Sequence, residues 1–288
     1  MTGREMAAVL MLAAGGAFVA IALTAVAIRR VPERLVRTNV NGHRVAAVLG
    51  MPVALAGIVS IAVWMIVAQS EVSARVGGAS AGIMLVLAAA GLWDDFRGAE
   101  LPRGFHGHLD AVRSGRLTGG LVKLAAGGAV GLAAGWLLAG LDHPLELIRI
   151  ALSIALTANL INLLDRAPGR AGKSALLIGV PLLALGDAYW AMAAAGVLGA
   201  LVAILPIDLR ERGMLGDAGA NPLGGVLGLG LALSVPPGPG WAVVAVVAAL
   251  NLVSERVSFS RVIERNRLLS LVDRAGRKPS DDREETRT

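Results

Sequence analysis

Long runs of apolar residues, interrupted by short polar stretches, set the pattern of this chain. Nine runs can be marked, at roughly 6–28, 45–69, 75–93, 117–139, 145–164, 172–187, 188–207, 219–235 and 241–259. Their lengths lie near the ~20 residues that an α-helix needs to cross a bilayer. They do not alternate apolar with polar residues, which excludes a closed β-barrel. Lipid offers no partner to open backbone groups, so uniformly apolar runs must be helices. The sixth and seventh runs are contiguous, and Gly186 with Asp187 is where a turn is expected between them. The first run is longer than the ~7–15 residues of a signal-peptide core and is read as a first span. The pattern thus predicts an all-α polytopic membrane protein with about nine transmembrane helices.

The polar stretches divide by charge. Connections 29–44, 94–116, 165–173 and 208–218, with the tail after 259 and Arg256 beside it, hold 23 of the 27 Lys and Arg residues. The alternate connections hold Arg4 and Arg75, while Lys123 and Arg149 lie inside runs. Cytoplasmic loops carry such an excess of cations. The N-terminus is therefore expected outside and the C-terminus in the cytoplasm. This asymmetry accounts for a formal net charge of +6 and a sequence pI near 10.8 with no nucleic-acid partner. Composition agrees with a membrane protein: 55% of residues are hydrophobic, against ~45–50% in soluble domains. The absence of Cys excludes disulfides and thiolate metal sites.

Three regions follow. Residues 1–259 form the transmembrane domain with cytoplasmic loops. Residues 260–276 space Val262, Leu268, Leu269 and Val272 among cations, as an interfacial amphipathic segment does. Residues 277–288, "RKPSDDREETRT", lack large apolar side chains and are expected to be disordered. The Gly-rich stretches "AAGGAVGLAAG" and "GGVLGLGLA" superficially resemble nucleotide loops. Inside apolar runs they predict close helix packing through small residues instead.

Ionisable groups in or beside spans are costly and therefore candidate functional groups. "GLWDDFRG" ends the third run with Asp94 and Asp95, and "NLINLLD" ends the fifth with Asn159, Asn162 and Asp165. "MLGDAGANPLGG" opens the eighth with Asp217 and Asn221, and Lys123 lies just inside the fourth. Each has a plain structural reading. An Asp pair at a helix end is ordinarily solvated, amides at i, i+3 can bond neighbouring helices, Asp217 can cap a helix, and Lys123 can snorkel. Their agreement in depth and side is what such readings do not account for. Carboxylates, amides and a Lys at one interface suit a divalent cation and a phosphorylated ligand.

Those three motifs, in that order, resemble the polyprenyl-phosphate N-acetylhexosamine-1-phosphate transferases (glycosyltransferase family 4). That family includes phospho-N-acetylmuramoyl-pentapeptide transferase and the GlcNAc-1-phosphate transferases. The resemblance runs from about Gly91 to Ser260, with a weaker echo in "VPERLVRTNVNGHR". It implies an Mg²⁺-dependent enzyme of the cell inner (plasma) membrane, with Mn²⁺ as a substitute ion. Such an enzyme transfers a sugar-1-phosphate from a nucleotide-diphosphate sugar, UDP-linked in the family, to a polyprenyl phosphate for cell-envelope glycopolymer synthesis. Asp217 assisted by Asn162 would hold the metal. Asp94, Asp95, Asp165 and Lys123 would be catalytic, and Asn159 and Asn221 would bind substrate; Arg166, Arg170 and Lys173, in the loop that follows, are expected from their charge and place rather than from the family to bind substrate as well. A homodimer is compatible with this reading. The alternative is a catalytically silent relative that binds polyprenyl phosphate or scaffolds envelope assembly.

Two departures from the family mark this chain as divergent. Where the family continues with an Asp-Gly-x-Asp/Asn-Gly pattern, Asp165 matches the first acid, but Pro168 stands where a second acid or amide contacts the base. Proline offers neither a polar side chain nor a backbone N–H. The family's His-containing C-terminal segment and tenth span also have no counterpart. "NRLLSLVDRAGR" lacks His, and His43, His106, His108 and His143 lie elsewhere. Arg261, Arg265 and Arg267 are expected to face anionic lipid heads, with phosphate binding in place of the lost segment as the alternative.

Overall fold

The computed structural model describes residues 1–97 and 119–277. In chain order these form α1 (Gly3–Ala27), a 3₁₀ turn (Glu33–Leu35), β1 (Val36–Thr38), β2 (Arg44–Ala46), α2 (Gly50–Ala68), α3 (Glu71–Arg97), α4 (Gly119–Ala139) and α5 (Pro144–Leu164). There follow α6 (Arg170–Leu185), α7 (Ala188–Leu209), α8 (Asp217–Ser234), α9 (Pro237–Ser254), α10 (Phe259–Arg265) and α11 (Arg267–Arg274). Seven of these helices, α1 to α5, α7 and α9, are long and apolar enough to cross a bilayer. The chain is a multi-pass helical membrane protein. The expected His106–His108 loop and the tail after 277 lie outside the described residues.

Two of the nine expected spans fall short of that standard, for different reasons. Helix α6 has 16 residues, about 24 Å at 1.5 Å per residue, under the ~30 Å of a hydrocarbon core. Helix α8 has 18 residues but begins with Asp217 and carries Asn221, Pro222 and five glycines. It tolerates these polar and small residues because neighbouring helices, not lipid, surround it: 14 of its 18 residues are buried. The turn between α6 and α7 falls at Gly186 and Asp187 as expected, and Asp187 caps α7 by accepting from the Trp190 N–H at 2.8 Å.

The bundle is built around α7 and α8. In its most apolar stretch α7 is 61% buried, whereas α1 and α9 are only 17% buried. Side chains such as Met11 and Phe18, 68% and 75% exposed, would be an unfavourable surface in water and are suited to lipid. Close approach in the centre comes from the Gly-rich stretches, as the sequence predicts. Gly127, Gly131 and Gly135, spaced four apart on α4, meet Ala155, Ala151 and Leu147 of the antiparallel α5. Gly224 and Gly228 of α8 lie against the α5 backbone at Thr157 and Ser153. That antiparallel register, continued by one and two turns, brings Asn221 toward Asn162 and Asp217 toward Asp165. It is how two distant polar motifs reach one end of the bundle.

One element departs from the expected all-α pattern. The polar loop after α1 folds as a hairpin, with Val36 paired to Ala46 and Thr38 to Arg44. Its turn contains Asn41–Gly42, a dipeptide that readily adopts the positive φ that tight hairpins need; Gly42 has φ +79°. The hairpin is tied to the α7–α8 loop, where the Met214 N–H donates to Ala46 O at 2.8 Å and the Leu49 N–H donates to Met214 O at 3.1 Å.

Candidate functional site

Consecutive helical residues do not share a face, so Asp94 and Asp95 diverge at the end of α3. Asp94 turns toward α4, where its Oδ2 accepts from Lys123 Nζ at 2.7 Å. The same ammonium donates to Asp217 Oδ2 at 2.8 Å. Lys123 is thus held between two carboxylates from two other helices. The three side chains are 19–24% exposed: shielded enough to interact strongly, open enough for a ligand to reach.

Asp95 is buried and does something else. Its carboxylate accepts from the Asp217 and Ala218 N–H groups at 3.3 and 3.0 Å. The first N–H groups of a helix have no internal partner, and the helix dipole favours an anion there. Asp95 therefore caps α8 from α3 and fixes the position of Asp217. Gly91, one turn earlier, makes this possible: a Cβ there would overlap the Asp217 carbonyl. Arg37 of β1 donates to the Asp95 carbonyl oxygen, tying the hairpin to the same point.

The end of α5 contributes next. Asp165 follows its last residue, and the Asp165 N–H donates to Asn162 O at 3.1 Å. Burial first, then the charges of Asp208, Asp217 and Asp95, hold the Asp165 carboxyl well above the usual range, against the pull of the Gly216 N–H. Asn162 Oδ1 is buried and, among the described residues, has no hydrogen-bond partner. Asn221, also buried, turns back on its own helix and donates to Asp217 O at 2.8 Å. Asn159 does not join the cluster. It donates to Asn251 Oδ1 of α9 at 2.6 Å, which is the helix-bonding use of an amide.

Beside the Lys123 cluster lies a cavity of about 330 Å³, within the range of small-ligand sites. The hairpin walls it with Thr38, Asn39, Val40 and Val45, and the α5–α6 loop with Asp165, Arg166, Ala167 and Pro168. Asp208, Glu211, Gly213 and Met214 close the third side. Asp165 belongs to both regions. Glu211 accepts from Asn39 at 2.7 Å and Asn41 at 2.5 Å and lies 2.5 Å from His43 Nδ1. Burial alone would raise its carboxyl, but these three partners outweigh it and bring it below its ordinary value. Asp208, Glu211 and Asn39 are wall residues that the motif reading missed. Their available signals were the Asp closing the seventh run and the Asn-Gly turn.

The expected substrate cations Arg170 and Lys173 are committed elsewhere. Arg170, buried, pairs with both Asp273 oxygens at 2.8 and 3.0 Å and donates to Ser260 Oγ at 2.8 Å. Lys173 Nζ donates to the carbonyls of Val272, Asp273 and Ala275 at 3.0, 2.5 and 3.1 Å, closing the C-terminal end of α11. Arg277 donates to Pro168 O at 3.0 Å and to Asp273 at 2.6 Å. Leu209 packs against both Gly169 and Gly276, two glycines of positive φ. The loop that departs from the family pattern thus carries the C-terminal arm, α10 and α11. Of the expected substrate-binding cations, Arg166 lines the cavity.

Asp273 makes this arm sensitive to acid. Burial opposes its ionisation, yet hydrogen bonds from Arg170 and the charges of Arg277, Arg170 and Lys173 win, so its carboxyl lies below the ordinary 3.8. A depressed carboxylate contributes stability above its unfolded pKa and loses it as pH falls through the folded one. The arm is expected to stay docked at neutral pH and to release below about pH 3.8. Hydrogen exchange across 259–277 checks this. Asp273→Asn should exchange rapidly already at neutral pH and lose the acid transition.

Among the described residues no three acidic or imidazole side chains form a ready metal cage. Mg²⁺ does not require one, since it takes one or two protein carboxylates and shares its other positions with water and phosphate. The Asp217 carboxylate and the unpartnered Asn162 Oδ1 fit such a set. In comparisons with known proteins, no family model matches the chain and no curated protein matches it.

Proposed function

We propose that the chain is a membrane glycosyl-1-phosphate transferase with a rebuilt donor loop. The observation that carries this reading is Lys123 held between Asp94 and Asp217, with Asp95 fixing Asp217 on the α8 N-terminus. In this reading the seven long apolar helices span the plasma membrane, and the shorter α6 and the protein-enclosed α8 cross it with them. The N-terminus lies outside, the C-terminus inside, and the site at the cytoplasmic edge. A soluble nucleotide sugar and a membrane-bound polyprenyl phosphate meet there.

The reaction joins an oxygen of the lipid phosphate to the sugar-bearing phosphorus of the donor. The bond from that phosphorus to the bridging oxygen breaks, and the nucleoside monophosphate leaves. Several negative charges converge, and Lys123 exchanges its carboxylate partners for phosphate oxygens to offset part of that repulsion. Asp217 and Asn162 would hold Mg²⁺, which when bound neutralises phosphate charge. Asp94, released by Lys123, orients the lipid phosphate or takes its remaining proton. Asp165 and Arg166 face the cavity, where the nucleotide part of the donor has room. Rigid helix ends hold these groups in register.

A specific observation favours a second reading. Arg170, Lys173 and the Pro168 carbonyl are occupied by the C-terminal arm, as suits a silent relative that binds the lipid phosphate and turns nothing over. A thermal-shift screen of nucleotide-diphosphate sugars with Mg²⁺ separates the two. A true donor at a hundredfold its Kd stabilises the folded state by about 2.7 kcal/mol. Stabilisation by polyprenyl phosphate but by none of the nucleotide sugars would remove the enzyme reading and keep the silent one.

A further inference from the structure

Helix α11 is divided lengthwise. At 100° per residue, Leu268, Leu269, Leu271 and Val272 occupy one half of its circumference, and Arg267, Ser270, Asp273 and Arg274 the other. In a water-facing helix the apolar half would turn inward. Here the reverse holds. Asp273 is buried against Arg170 and Arg277, while Leu268, Leu271 and Val272 are 74%, 71% and 60% exposed. Asp273 and the half-buried Ser270 face the protein, and the apolar half is presented outward.

Position and charge identify what covers that face. The arm begins at Phe259, shortly after the membrane helix α9 ends at Ser254, so the bilayer edge is its immediate surroundings. Arg261, Arg265, Arg267 and Arg274 are exposed along it, with Glu264 the one exposed acid between Phe259 and Arg274. A row of large apolar side chains flanked by cations fits an anionic lipid surface, where apolar groups enter the acyl boundary and cations meet headgroups. A second copy of this arm would set arginines against arginines.

We propose that α11 is a bilayer-surface helix with anionic lipid as its partner, and that its seat there keeps the Asp273 clamp closed and the cavity wall from Asp165 to Pro168 in place. The clamp supplies the connection. One end is Asp273 on α11; the other is Arg170, which opens α6 immediately after the wall, with Arg277 gripping Pro168 itself. Arg170 and Asp273 are positioning residues in this scheme and touch no substrate. The inference is independent of glycosyl transfer.

Because the chain has no Cys, Leu271→Cys in the full-length protein can carry a single environment-sensitive dye at an exposed position. The protein is placed in nanodiscs of phosphatidylcholine alone or mixed with phosphatidylglycerol. Shallow spin-labelled lipid is expected to quench the dye, several-fold more in the mixed discs. Amide exchange across 166–173 should be several-fold slower in the mixed discs, a difference that Asp273→Asn abolishes. Replacing Arg261, Arg265, Arg267 and Arg274 by Gln should remove the lipid dependence while leaving the spans folded. A dye that lipid does not quench, whether open to water or shielded by protein, overturns the lipid assignment. Quenching with identical loop exchange in both discs and in Asp273→Asn overturns the coupling to the cavity wall.

Discussion

Asp217→Asn is expected to lower nucleoside monophosphate release by at least about a hundredfold, the scale of losing one charged group that offsets developing phosphate charge. It should also weaken the Mg²⁺ dependence. The fold should survive. Asp95 caps α8 through the backbone N–H groups of residues 217 and 218, which the substitution does not touch. Lys123 keeps Asp94, and Asp165 loses one of the charges that oppose its ionisation. Thermal stability should therefore hold or rise while activity falls. Rates over an Mg²⁺ titration, beside unfolding curves for the same sample, check both halves. A variant as active as the parent would sink the role given to Asp217.

The second large effect concerns a residue with no chemistry of its own. Gly91→Val places side-chain carbons where the Asp217 carbonyl and Ala218 N–H now lie. Either α3 and α8 separate or the cap breaks, and forcing such volume into a packed site costs about 1–3 kcal/mol. Both outcomes move Asp217 away from Lys123, so activity should fall along with stability. Gly82, earlier on the same helix, has nothing within 4 Å of an added Cβ. Gly82→Ala should leave activity intact and stabilise by about 0.4–1 kcal/mol. Unfolding temperatures of the two variants in one lipid composition make the comparison. Equal temperatures would show that the α3–α8 approach is not the constraint described.

The membrane architecture was legible because lipid imposes a coarse rule. A backbone without water must be helical, and long apolar runs show where. The same rule weakens where protein replaces lipid. Helix α8 is among the most buried elements, yet Asp217, Asn221 and its glycines make it one of the less apolar. The Asp94, Lys123 and Asp217 grouping was legible because charges are rare in such runs and these share a depth. Their individual directions were not. That Asp95 turns away to cap α8, and that Asn159 bonds Asn251, depends on helix rotation, which packing decides. Asp208 and Glu211 belong to none of the motifs, since only the hairpin and the α5–α6 loop close a wall around them. Arg170 and Lys173 have protein partners that their own motif does not show: the carboxylate and carbonyls that hold them lie about a hundred residues further on. No local pattern announces a partner at that distance.

Sugar-phosphate transfer is tested by nucleoside monophosphate release from the purified full chain in nanodiscs. UDP-N-acetylhexosamine and related nucleotide sugars would be supplied with and without polyprenyl phosphate and Mg²⁺. Release should require both the lipid phosphate and the metal, with the sugar phosphate recovered on the lipid. Release that persists without the lipid, or none from any nucleotide sugar while the lipid phosphate binds, would contradict it.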